Sequence, residues 1–260
     1  MTGGDVQLYS FCECLYTFSF NLLIWEFLSK IYRFNYSNTP MNKQVSSKYR
    51  FLCFSLIALM LHCSHVSAQN LQRIEVDKFP LEAIEIGEGK HGVVLVHGAA
   101  VNADYFFGKY SSQFGQKLVS KGFRVIGIKW NHPDSAFGMK SIEAAINRLK
   151  SQGVEKISLI GHSRGGELIA NFYRQNSNAI NIDSIIQIDS VDDQALTQPT
   201  VKKLFIYSKN SSYSRWQPSA FQKSVDPKEQ IIVPGSDHNV AKIIERQSDL
   251  LDLIAIYLLK

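Results

Sequence analysis

The sequence predicts an α/β fold, a mostly parallel central sheet with helices on both faces. Two observations carry that reading. From residue 69 onward, short β-branched runs alternate with longer amphipathic stretches, and several of those runs are apolar throughout, as strands buried on both faces require. The same region shows no internal repeat, no low-complexity tract and no linker, so residues 69–260 are expected to form one domain.

In chain order, Leu71–Val76 and Ala83–Ile86 read as edge strands, and Gly92–His97 (GVVLVH) as a strand covered on both sides. A helix is predicted over Ala103–Ser120, stopped at Lys121-Gly122, where glycine can supply a left-handed cap. Phe123–Trp130 (FRVIGIKW) is the next strand, Ser141–Ser151 a helix closed by Gly153, and Lys156–Gly161 (KISLIG) a strand that turns at once into a helix over residues 164–175. Strands Ser184–Asp189, Lys203–Ser208 and Gln230–Val233 follow. A C-terminal helix from about Val240 carries Ile243, Ile244, Leu250, Leu251, Leu253, Ile254 and Leu258 at helical spacing, a stripe expected to pack on the sheet.

Composition excludes several classes. All four cysteines (Cys12, Cys14, Cys53, Cys63) fall in the first quarter, so the region after Cys63 holds neither a disulfide nor a thiolate metal site. The formal charge of +5 leaves only +3 for residues 69–260, too mild an excess to point to nucleic acid.

The N-terminal region reads best as an export signal at residues 41–68. After Met41, Lys43, Lys48 and Arg50 form a positive segment, Phe51–Leu61 (FLCFSLIALML) is an apolar core, and Val66-Ser67-Ala68 offers small residues for cleavage before Gln69. An uncleaved anchor is the competing reading, but the apolar run falls short of the roughly 20 residues that span a bilayer. Lipid attachment at Cys63 is disfavoured by bulky His62 before it. Residues 1–40 stay unassigned. Their apolar stretch Phe18–Tyr32 is interrupted by Glu26 and Lys30, and they are expected to be a mis-called extension before a true start at Met41. The expected product is secreted or periplasmic, with no stable membrane span after cleavage.

The chemistry concentrates at Gly161-His162-Ser163-Arg164-Gly165, a G-x-S-x-G pattern. A chain this long shows such a pattern by chance roughly one time in ten, so its setting matters: it follows the strand KISLI and opens a helix. A serine at the apex of so tight a turn needs neighbours with almost no side chain, which Gly161 and Gly165 provide. The helix start behind it favours developing negative charge.

A serine hydroxyl needs a base, and His238 in Gly235-Ser236-Asp237-His238-Asn239 is the candidate, placed between the last strand and the last helix. His91 stands at the wrong end of its strand, His132 lies in a polar loop, and His162 is committed to packing inside the turn. His97 belongs to His97-Gly98-Ala99-Ala100, a small-residue loop whose Ala99 amide, with that of Arg164, is the candidate oxyanion donor pair. A plain β-turn at Ala99 is the bland alternative.

The strand-HG loop, the G-H-S-R-G-G turn and the late S-D-H-N together resemble the α/β-hydrolase superfamily across residues 71–260. The resemblance implies an α/β-hydrolase fold and a serine esterase, lipase or related acyl-transfer activity, with no metal or organic cofactor. Only about a dozen residues separate Asp189 from Lys203, so the chain is similar to small, lidless members without a cap domain. It departs from the usual pattern in one place. The triad acid ordinarily follows the next-to-last strand, but Ser208-Lys209-Asn210-Ser211-Ser212 holds no carboxylate. Either the site works without an acid or the acid comes from elsewhere: some lipases of the superfamily use the end of the preceding strand, which here is Asp189, with Asp192 and Asp193 as alternatives on the same loop.

The expected function is therefore hydrolysis of a small-molecule carboxylic ester or thioester through an acyl-serine. A degenerate hydrolase acting as a binding protein and an acyltransferase are the alternatives. Two local questions stay open: whether Arg164 biases the site toward acidic substrates or is solvated, and whether Tyr213, Trp216, Pro218 and Phe221 of loop 209–229 line an acyl pocket or pack.

Overall fold

The computed structural model describes residues 72–99, 101–213 and 215–260; the expected export signal and the expected extension lie outside them. Eight strands form one sheet: β1 (Gln72–Val76), β2 (Phe79–Ile86), β3 (His91–Val96), β4 (Arg124–Ile128), β5 (Lys156–His162), β6 (Ser184–Ile188), β7 (Lys202–Ser208) and β8 (Lys228–Val233). Their spatial order is β1-β2-β4-β3-β5-β6-β7-β8. Strands β1 and β2 run antiparallel at one edge, and the other six are parallel.

Among the described residues six helices cover the sheet: α1 (Phe114–Ser120), α2 (Ser135–Ser151), α3 (Arg164–Asn176), α4 (Gln217–Lys223), α5 (Val240–Arg246) and α6 (Leu250–Leu259). The side-chain alternation of β3 shows how both faces fill. Val94 and Val96 join Ile142, Ile146, Leu168 and Phe172 of α2 and α3, while Val93 and Leu95 join the opposite core with Phe114, Ile243 and Ile254. The expected doubly covered sheet is the observed one, and the described residues form no cap domain.

Four helical elements differ from expectation. The helix predicted over 103–120 is two short 3-10 turns, Ala103–Phe106 and Lys109–Ser111, followed by α1. Its interruption is steric: the Phe107 ring fills the space left by Gly115 and Gly127, where an added Cβ would approach the ring to 2.5 and 2.4 Å. Ser112 and Gln113 then take left-handed angles (φ 53° and 56°) to restart the chain as α1. Helix α2 begins six residues earlier than Ser141 because Asp134 caps it, its carboxylate accepting from the Phe137 amide at 2.9 Å. The C-terminal stripe is split into α5 and α6 around Gln247, whose φ of −128° and ψ of 83° end the first. Helix α4 has no counterpart in the sequence reading.

His91 forms a buried polar network near the amino-terminal ends of β3, β5 and β6. Its Nε2 meets Ser158 Oγ at 2.8 Å, and Ser158 meets Ser184 Oγ at 2.6 Å, so three parallel strands are tied together. Both serines are fully buried, which makes this Ser–His pair a core polar network with no access for a substrate. Burial lowers the His91 pKa to about 4. The unfolded chain takes up a proton below about 6.5 that the folded one refuses down to about 4, so stability is lost as pH falls through that window. We expect the unfolding free energy to drop by about 3 kcal/mol on this account between pH 6.5 and 4, and urea titrations of wild type and His91→Gln should show a shallower decline in the variant.

Candidate active site

Strand register brings the site together at the carboxyl edge of the sheet. His162 pairs with Ile188, so the residues that follow them, Ser163 and Asp189, leave neighbouring strands side by side. Ser163 connects β5 to α3 with φ 54° and ψ −123°, a region that residues other than glycine rarely occupy. Several contacts impose it. The Ser163 amide donates to Ile188 O at 3.0 Å, a Cβ on Gly161 would stand 2.4 Å from Gly165 O, and one on Gly165 would stand 2.1 Å from Val96 O. Only glycine at both positions lets strand and helix approach this closely.

His238 reaches the serine from the loop between β8 and α5. Ser208 Oγ donates to Asp237 O at 2.5 Å, the Asn210 amide donates to Gly235 O at 2.9 Å, and Asn239 caps α5 by accepting from the amides of Ala241 and Lys242. So fixed, His238 Nε2 lies 3.0 Å from Ser163 Oγ, and Nδ1 lies 2.6 Å from Asp189 Oδ2. A carboxylate only accepts, so Nδ1 carries the ring proton and Nε2 is free to accept from the serine hydroxyl.

Asp189 is fully buried and has φ 42°, which swings its side chain from the end of β6 across to the histidine. The three carboxylates considered from sequence separate cleanly. Asp192 is held by Arg174 at 2.9 and 3.1 Å and by Gln187 at 3.1 Å, and Asp193 is exposed, so Asp189 alone of the three meets His238. At the position after β7 where a carboxylate was missing, Ser211 Oγ donates instead to Asp189 Oδ2 at 2.8 Å.

The candidate oxyanion loop lies against the serine, since a Cβ on Gly98 would be 3.2 Å from Ser163 Cβ. It is clamped from below: Trp130 Nε1 donates to His97 O at 2.9 Å, and His97 Nδ1 donates to Gly98 O at 2.7 Å. Ala99 follows on this clamped turn, and Arg164 is the first residue of α3, where amides have no partner within the helix. The Arg164 side chain pairs with Glu167 at 2.7 Å on the half-exposed helix start.

Sequence reasoning assigned His162 to packing and missed its second contact. Its ring is buried, stacked on Tyr105, and Nε2 donates to the backbone carbonyl of His238 at 2.7 Å. Burial, with the nearby His238 as a smaller cause, lowers its pKa to about 3, so it stays neutral. The aromatics of loop 209–229 divide. Phe221 packs on Phe205 in the core at 5.7 Å, whereas Tyr213 stacks on His238 at 3.9 Å and Trp216 lies 6.4 Å from Tyr213. Only position relative to the missing carboxylate could have drawn attention to Ser211, and nothing in sequence points to Tyr213 on His238.

Among the described residues no three His, Cys, Asp or Glu side chains gather as a metal site would require, and no helix is long and apolar enough to cross a membrane.

A parallel sheet with a strained serine turn at its carboxyl edge defines a protein of the α/β-hydrolase type. The chain belongs to the Alpha/beta hydrolase family, which matches residues 92–242. Similar solved structures include a monoacylglycerol lipase from Paleococcus ferrophilus at 14% identity and TM-score 0.58, covering 69% of this chain and 98% of that one. An esterase from Exiguobacterium antarcticum shares 13% identity at TM-score 0.57, covering 74% and 100%. A dienelactone hydrolase from Anabaena variabilis shares 11% at TM-score 0.59, covering 75% and 98%. No curated protein sequence matches the chain. Family membership supports a hydrolytic function on a small-molecule substrate, and similarity at these identities speaks for the fold alone.

Proposed function

We propose that the chain is a serine hydrolase that cleaves carboxylic esters or thioesters through an acyl-serine intermediate. One observation carries the reading: Ser163 Oγ, His238 Nε2, His238 Nδ1 and Asp189 Oδ2 form a continuous hydrogen-bonded line, with separations of 3.0 and 2.6 Å across its two gaps. In the first half-reaction Ser163 Oγ attacks the carbonyl carbon as His238 Nε2 takes its proton. The oxyanion that forms is met by the amides of Ala99 and Arg164. Collapse breaks the bond to the leaving oxygen or sulfur, which takes the proton back from His238. Water then repeats the sequence on the acyl-serine and releases the acid. Asp189 holds the imidazole in the Nδ1–H tautomer and stabilises the imidazolium at each stage.

A missing carboxylate at residues 210–211 is what favours the alternative of a degenerate binding protein, and the contact of Asp189 with His238 argues against it. On the reading of residues 41–68 as an export signal, the enzyme acts outside the cytoplasm.

The test uses the full chain with a fluorophosphonate probe and p-nitrophenyl esters of increasing acyl length. Stoichiometric labelling of Ser163, mapped by peptide mass spectrometry, with release of p-nitrophenolate, is the expected result. Folded protein that neither labels nor hydrolyses any member of the series would refute it. Added alcohols separate the acyltransferase alternative: transfer products in place of free acid would favour it.

A further inference from the structure

We propose that Tyr213 is a positioning residue for His238, clamping the imidazole from its solvent side and stabilising the imidazolium that forms during turnover. The inference rests on the serine hydrolase reading above. Two rings lie against His238. Tyr213 stacks on it with centroids 3.9 Å apart and planes 21° from parallel, and His162 lies at 4.6 Å, tilted by 39°.

The two neighbours differ in kind. His162 is a buried, neutral ring whose Nε2–H is already committed to the His238 carbonyl. Tyr213 is 40% exposed and outside both hydrophobic cores, so nothing in the packing of the domain requires its ring to lie flat on a histidine. What holds it there is the acid. Ser211 Oγ donates to Asp189 Oδ2 at 2.8 Å and accepts from the Tyr213 amide at 3.2 Å, so the same short turn ties its hydroxyl to the carboxylate and lays its ring on the base. The turn is anchored in turn by the Lys209 and Asn210 amides on Val233 O and Gly235 O, both at 2.9 Å. The segment that lacks the expected carboxylate thus contacts both the acid and the base.

The chemistry follows from that placement. The π face of a tyrosine attracts a cation lying on it, and the imidazole becomes cationic only as the serine is deprotonated, so the contact strengthens in the transition state. The ring also keeps water from one face of His238, which preserves its bonds to Ser163 and Asp189. Asp189 is the anion in contact with the histidine, Asp237 is paired with Arg246 at 3.2 Å, and the Arg215 guanidinium lies over the Trp216 ring at 4.1 Å.

The experiment compares wild type with Tyr213→Phe, Tyr213→Leu and Tyr213→Ala in the full chain. It measures kcat and KM across an acyl-length series, the fluorophosphonate labelling rate, and the downfield Nδ1–H resonance of His238. Tyr213→Phe keeps the π face and should stay within about twofold of wild type. Tyr213→Ala should lower kcat and labelling about tenfold at every acyl length with KM little changed, and should broaden the Nδ1–H signal; Tyr213→Leu, which restores bulk without a π face, should fall between. Two results would overturn the proposal: an Ala variant with unaltered kcat and labelling but a shifted KM or chain-length preference, which makes Tyr213 a pocket wall, or a Phe variant as impaired as Ala. A wild type that is neither labelled nor active would defeat the serine hydrolase reading instead, and the Nδ1–H signal of the four proteins would still report whether Tyr213 holds the ring.

Discussion

Replacing Ser163 with alanine is expected to lower kcat on p-nitrophenyl esters by on the order of a millionfold and to abolish fluorophosphonate labelling, while the protein remains folded. The size follows from the role. Without Oγ there is no acyl intermediate, and His238 and Asp189 have no nucleophile to activate, so the three residues fail as a unit. The fold should tolerate the change. Alanine keeps the Cβ that serine already holds at φ 54°, so the backbone strain of the turn is neither relieved nor increased, and the Ser163 amide still donates to Ile188 O at 3.0 Å. What is lost is one hydrogen bond to His238, worth about 1 kcal/mol. A variant with intact circular dichroism and thermal transition but residual activity above about a thousandth of wild type would show that another hydroxyl attacks. Ser158 is no substitute: it too meets a histidine at 2.8 Å, but it is fully buried at the opposite edge of the sheet.

How far the site was legible in sequence depends on the range of the interactions that build it. Ser163 announces itself because its requirement is local: a strand, two flanking glycines and a helix start lie within ten residues. His238 is legible through chain order and its place between the last strand and a helix. The acid is a harder case. Asp189, Asp192 and Asp193 stand within five residues, and what separates them is the left-handed φ of 42° at Asp189 together with Arg174, which holds Asp192 from another element. The contacts of Ser211, Tyr213 and His162 are longer in range still, spanning 22 to 76 residues, and no periodicity or motif encodes them. The fold shows the same division. Strands buried on both faces are written as apolar runs, whereas the failure of the helix over 103–120 depends on Phe107 finding the bare backbone of Gly127 on β4. That contact is invisible until the sheet exists.

Asp189→Asn is expected to lower kcat about ten-thousandfold with little loss of stability. Asparagine is nearly isosteric and tolerates the left-handed angles that position 189 adopts, so the turn after β6 should survive. The damage is electronic. An amide nitrogen turned toward His238 donates where the carboxylate accepted, which drives the ring proton to Nε2 and leaves nothing to accept from Ser163. If the amide oxygen faces the ring instead, the tautomer is kept but the negative charge that stabilises the imidazolium is gone. Asp192→Asn provides the contrast. That carboxylate is nearly buried and paired with Arg174 at 2.9 Å. Its loss should leave kcat within severalfold and cost about 2 kcal/mol of unfolding free energy, since the partly exposed Arg174 recovers some solvation. Measuring both variants by initial rates and by urea denaturation therefore separates an acid that orients the base from one that holds the scaffold. Equal kinetic losses in the two, or a larger one in Asp192→Asn, would remove Asp189 from its role, because only a direct partner of the imidazole can change its tautomer.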